Sequence, residues 1–96
     1  MSTFRALGEQ AKAEVRTYYF SFVPDLPSGV TVASATATHT PPSGSASTPT
    51  VGSITANVVP VTLGVQTVDG DHYLTCVATL SNSDKSQIRG HIRVKD

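Results

Sequence analysis

The residues of this 96-residue chain that could do chemistry are three histidines, one cysteine and a short acidic cluster. His39, His72 and His91 would make a zinc site or a general base only by converging with cysteine or carboxylate partners. They fall on three different predicted strands, and the sequence holds no HxxxH or CxxC spacing. Asp69-Gly70-Asp71-His72 resembles a fragment of a calcium loop. Calcium takes about six to eight oxygens, and this stretch offers two carboxylates with no downstream Glu, so a hairpin turn is the better account. Serine is plentiful, yet none lies in a nucleophile elbow. Cys76, between Leu74 and Ala78, has no second cysteine to pair with and reads as a buried small hydrophobe. The sequence therefore leads us to expect no catalytic residue, no cofactor and no metal: a non-enzymatic protein.

Charge adds one pattern and one gap. Seven Lys and Arg balance seven Asp and Glu, which argues against a nucleic-acid partner. Arg89, His91, Arg93 and Lys95 alternate along the last predicted strand and share one face. They read either as a docking row for an acidic protein surface or as charges that protect an exposed strand edge. Between Asp25 and Asp69 there is no charged side chain at all. That stretch is either solvated through its hydroxyls or partly covered by neighbouring subunits. No apolar run approaches the roughly 18 residues of a membrane span. The start, MSTFRALGEQ, has no apolar h-region, so synthesis and use without Sec export is expected.

The elements that must position these residues are strands. Serine and threonine make up a quarter of the chain (11 Ser, 13 Thr) and valine is the commonest large apolar residue. Such residues suit a pleated, half-buried surface. Residues 1–13 read as an arm or short helical lead-in, which Gly8 interrupts. On this arm Phe4 and Leu7 either anchor in a neighbouring surface or cover an end of the domain's own core. If the segment is an arm, removing residues 1–12 leaves a folded domain.

Strands are expected over 14–23, 30–40, 50–59, 61–68, 71–80 and 87–95. Tyr18, Phe20 and Phe22 face inward on the first of these. Leu74, Cys76, Ala78 and Leu80 do so on the fifth, and Ile88, Ile92 and Val94 on the last. Residues 41–49, rich in Pro, Ser and Gly, read as a loop or crossover. Pro60 marks an edge, a bulge or a strand switch. Asp69-Gly70 is the sequence pattern of a type I′ hairpin turn. A chain of this size buries enough area only by folding its sheet over on itself, so residues 14–96 are expected to form an all-β sandwich.

The order of these segments resembles a known family. It runs from Ala11-Lys12-Ala13-Glu14-Val15 through the aromatic strand Tyr18–Phe22 to Leu26-Pro27-Ser28-Gly29 and Val30–Ala35. Later come Gly70-Asp71-His72-Tyr73-Leu74-Thr75-Cys76-Val77-Ala78-Thr79 and a closing Ile92-Arg93-Val94. Over roughly residues 11–95 this is similar to the small immunoglobulin-like structural proteins of tailed bacteriophages. The resemblance implies an immunoglobulin-like antiparallel β-sandwich with a short N-terminal arm or helix, carried on the virion. It implies a capsid decoration, cement or head accessory protein, present in many copies and assembled in the bacterial host cytoplasm. Its partners would be the major capsid protein or other virion structural proteins, with no nucleic acid and no membrane. A neck or tail accessory subunit and an immunoglobulin-like host-glycan-binding module are the rivals.

Overall fold

A computed structural model describes residues 2–44 and 47–95, with the backbone alone for residues 2–5 and Asp25. Seven strands follow one another: β1 (Ser2–Ala11), β2 (Arg16–Ser21), β3 (Val32–Thr40), β4 (Thr50–Val51), β5 (Val58–Leu63), β6 (Gly70–Leu80) and β7 (Lys85–Lys95). They form two sheets, one in the order β1-β7-β6-β3 and the other β2-β5-β4. The described residues include no α-helix, only a 3-10 turn at Val23–Asp25 after β2.

The inward faces of the two sheets meet in one core. Tyr18, Phe20, Phe22, Val59, Val61 and Leu63 come from the three-stranded sheet. Leu74, Cys76, Ala78, Leu80, Ile88, Ile92 and Val94 come from the other. Strict alternation along β6 and β7 puts every second side chain into this core, as a two-layer β-sandwich requires. The inward residues expected from the sequence on β2, β6 and β7 are all buried.

Several expectations are corrected. The N-terminal segment is a strand rather than an arm or helix. β1 runs parallel to β7, from Ser2 opposite Gln87 to Ala11 opposite Lys95, with an irregularity between Ala6 and Gly8. A ladder that long outweighs the modest helix propensity of residues 5–14. For the same reason the sheet is not wholly antiparallel.

Asp69-Gly70 does not close a hairpin. β5 pairs with β2 and β4 while β6 pairs with β3 and β7, so the chain crosses between sheets there. The hairpin lies one connection earlier. Thr55 and Val58 pair around Ala56 (φ 51°) and Asn57 (φ 64°), two left-handed residues as a type I′ turn needs.

Strand 50–59 shortens to β4, and Pro60 lies inside β5 rather than bounding it. The Pro60 carbonyl accepts from Gly52 N–H at 2.9 Å, on the β4 side. The nitrogen of a strand residue points to the same side as its carbonyl. The donor that proline lacks is thus missed only where β4 is already ending.

Finally, β7 lies between β1 and β6. Its charged row therefore protects no edge.

Candidate functional site

The outer face of the four-stranded sheet holds the charged row. Arg89, Arg93 and Lys95 are exposed and His91 is half-buried, all on the side of β7 away from the core. Three of the four meet an answering group. Lys95 Nζ lies 2.7 Å from Glu9 Oε2 on β1. His91 Nε2 lies 2.9 Å from Asp71 Oδ1 on β6. The Arg89 guanidinium sits 4.3 Å over the Tyr73 ring, within cation–π range. The Lys95 hydrogen bond and charge hold the Glu9 carboxyl below its ordinary value. The His91 hydrogen bond does the same for Asp71. This face is a knitted, charge-balanced surface rather than a bare basic stripe.

Of the two candidate anchors, Leu7 covers this domain's own core. It is half-buried, and its side chain fills the space over Gly90 on β7. A Cβ built on Gly90 would clash with Leu7 Cδ1. The backbone of Phe4 pairs opposite Arg89; its side chain lies outside the described residues.

Near Leu7, at the end of β1, Gln10 is buried and joins three segments. Its Oε1 accepts from the Tyr18 hydroxyl at 2.8 Å. Its Nε2 donates to the carbonyls of Glu14 and Gly64, at 2.9 and 3.2 Å. Burial raises the Tyr18 phenol above its ordinary value.

The sequence reading kept the three histidines apart, and the fold brings two of them together. His39 on β3 and His72 on β6 are 4% and 0% exposed. Antiparallel pairing sets His39 opposite Leu74, one inward position along β6 from His72. His39 Nε2 and His72 Nδ1 are 2.8 Å apart. The rings are parallel to within 5° with centroids 5.1 Å apart, the separation that an edge-to-edge hydrogen bond in a shared plane gives. Parity was the available signal: His39 keeps step with inward Ala35 and Ala37, and His72 with Leu74 and Cys76. His91 does not join them; it faces outward on β7.

The hydrogen bonds fix where the protons sit. The Val68 carbonyl lies 2.8 Å from His72 Nε2 and can only accept, so that nitrogen carries hydrogen. His72 Nδ1 is then the acceptor, and His39 donates from Nε2. That leaves His39 Nδ1 bare, facing the Ser47 hydroxyl at 3.0 Å and the Ser47 N–H at 3.3 Å. With both rings neutral every atom of the chain Ser47–His39–His72–Val68 is satisfied. Burial first, and His72 second, push the His39 imidazole below its ordinary value.

Hydroxyl, imidazole, second imidazole is also the order of a nucleophile, its base and an orienting group. The parts that would make it catalytic are taken up otherwise. The Ser47 N–H, a natural oxyanion donor, is spent on His39. The orienting group is an imidazole, without the negative charge by which a carboxylate would stabilise an imidazolium.

A small cavity of about 170 Å³ opens beside this chain, between β3 and residues 47–49, lined by Ala37, Thr38, His39, Ser47, Thr48 and Pro49. Among the described residues no three His, Cys, Asp or Glu side chains gather as metal ligands. Cys76 is buried and free, its thiol pushed up to about 11 by desolvation. That state is unreactive near neutral pH.

The remaining feature is an edge. β3 bonds to β6 on one side, and among the described residues no strand pairs with its other side. From 34 to 40 it runs regularly, with Ser34, Thr36, Thr38 and Thr40 exposed and no charged side chain. The other edges are blunted. β1 carries Glu9 and its irregularity, β2 carries Arg16, and β4 is two residues long. No model of a known protein family matches this chain, and no curated protein matches it.

Proposed function

We propose that the chain is a non-enzymatic, immunoglobulin-like structural protein of a tailed-phage particle, most simply a capsid decoration or head accessory subunit. Strand order supports the immunoglobulin-like part. Such sandwiches divide their strands as ABED and CFG. Here β2-β5-β4 corresponds to B-E-D and β3-β6-β7 to C-F-G, with the first strand added beside the last instead of beside the second. The virion part rests on the segment resemblance described above. On this reading the protein sits on particles assembled in the bacterial cytoplasm, against the major capsid protein or another virion protein.

One observation carries the docking role: the long, regular, uncharged edge of β3. Proteins protect such edges unless something covers them. Addition of a neighbour's strand there gives main-chain hydrogen bonds without needing an apolar patch. Many copies then multiply a modest contact into a large total stabilisation. β1 cannot be the donated strand while it is spent within its own sheet.

The test is incorporation of tagged chain into particles from cells that make them. Thr36→Lys with Thr38→Lys charges the edge and leaves inward Ala35, Ala37 and His39 untouched. The doubly substituted protein is expected to melt like the parent and to be lost from particles. Undiminished incorporation would refute docking through β3. Copy number separates sites: hundreds per particle mark the head, a small ring multiple the neck or tail.

A host-glycan-binding module is the second reading, and Tyr19 is what favours it. This aromatic is 67% exposed on the outer face of the three-stranded sheet, opposite Pro60. A glycan-array signal that vanishes in Tyr19→Ala would move the assignment there.

A further inference from the structure

Independently of that role, the buried histidines have a property of their own. We propose that Ser47–His39–His72–Val68 is an acid-sensitive latch: it holds residues 47–49 against β3 at neutral pH and lets them go when His39 takes a proton.

The argument is a count of hydrogens. The contact between the two rings needs one hydrogen, and the bond to the Val68 carbonyl needs another. The neutral pair has these two and no more. An added proton has one place to go, His39 Nδ1. There it meets the Ser47 N–H, a donor against a donor, and that bond is lost. The Ser47 hydroxyl can turn and accept, so the first proton loosens the segment without forcing the rings apart. A second proton would put N–H against N–H between the rings.

The latch also lies where release matters. Ser47 starts the segment that walls the cavity against Ala37 and Thr38 of β3. Its neighbour Pro49 is buried. Loosening Ser47 therefore opens the cavity at the very strand whose other side has no strand partner among the described residues.

Few nearby charges can offset a proton here. The chain from 26 to 68, which includes β3, β4, β5 and the connections between them, carries no Asp, Glu, Lys or Arg. On β6, Asp71 faces outward and is held by His91 at 2.9 Å. Before it, exposed Asp69 is held by Lys12 at 2.9 Å. β7 presents Ile92 opposite His72, with Arg93 on the outer face. Both available carboxylates are thus engaged. The downward shift of the His39 imidazole, set by burial and by His72, agrees with a proton that is resisted.

The experiment is a titration of the 15N-labelled protein by NMR, from about pH 7.5 to about pH 4.5, across the range where histidine changes charge. At the upper end both rings are expected as the Nε2–H tautomer. On acidification the amides of Ser47 and Thr48 should shift, and proteolytic cutting between β3 and β4 should rise by about tenfold for each unit that His39 is depressed. Amides of the β6–β7 hairpin should stay unchanged over the same range. His39→Gln, which can still accept from Ser47 and donate to His72 but does not titrate, should abolish the response. If that variant fails to fold, the wild-type titration still decides. A 47–49 segment that is unmoved by acid overturns the latch. So does simultaneous loss of all strands, or a response that survives in His39→Gln.

Discussion

Gly90 has a neighbour's side chain where its own would begin. Leu7 reaches across from β1 and occupies the space over the glycine, so the two residues form one packing unit. Gly90→Ala places a methyl against Leu7 and forces that side chain to move, at a cost of about 1–3 kcal/mol for overpacking. In a Leu7→Ala background the obstacle is gone, and the same substitution should cost much less. Thermal or urea melts of the four proteins measure this coupling; equal costs in both backgrounds would contradict the packing. At the same scale, the His39 shift fixes the direction of pH dependence. Its folded value lies below the ordinary 6.5. The unfolded chain therefore takes the proton first. The stability this histidine contributes is complete above about 6.5 and is lost as pH falls from there through the folded value.

At the scale of elements, β1 is the part of the sandwich most open to a direct test. It covers β7 along its length and delivers Leu7 and Gln10 to the interior. Removal of residues 1–12 should consequently leave a poorly folded protein, with an unpaired β7 and Tyr18 stripped of its partner. A truncated chain with the parent's melting temperature would show β1 to be dispensable. The milder Tyr18→Phe removes only the hydroxyl that Gln10 Oε1 accepts. It should cost about 1–3 kcal/mol, the penalty for leaving a buried acceptor unpaired.

These elements also show what was legible in the sequence. Period-two patterns on β2, β6 and β7 gave inward faces that the core confirms, because one-sided burial imposes that period on any strand. β1 was not legible, since its partner is the other end of the chain and parallel pairing leaves no turn signal between them. The Ala56-Asn57 hairpin was missed because alanine rarely takes a left-handed conformation. Asp69-Gly70 misled for the converse reason: local turn chemistry cannot say which sheet the next strand will join. The histidine pair was half-legible. Parity with inward neighbours is a signal for both rings that the sequence reading did not use, and only the β3–β6 register brings them into contact.

Taken whole, the molecule is an elongated sandwich, 43 Å by 21 Å by 21 Å, with its buried polar groups concentrated towards one end. There the Gln10 network ties β1 to β2 and the histidine chain ties β3 to β6. Several of its outer charges are paired, and among the described residues no strand pairs with the outer side of β3. The account stands on that open edge being covered in the working assembly. The most direct measurement is a density map of the particle that carries this chain, at a resolution that separates strands. It should show a neighbour's strand running alongside β3 at about 4.8 Å, extending the four-stranded sheet by one. A map in which β3 faces solvent, and the chain is held only through other surfaces, would contradict it.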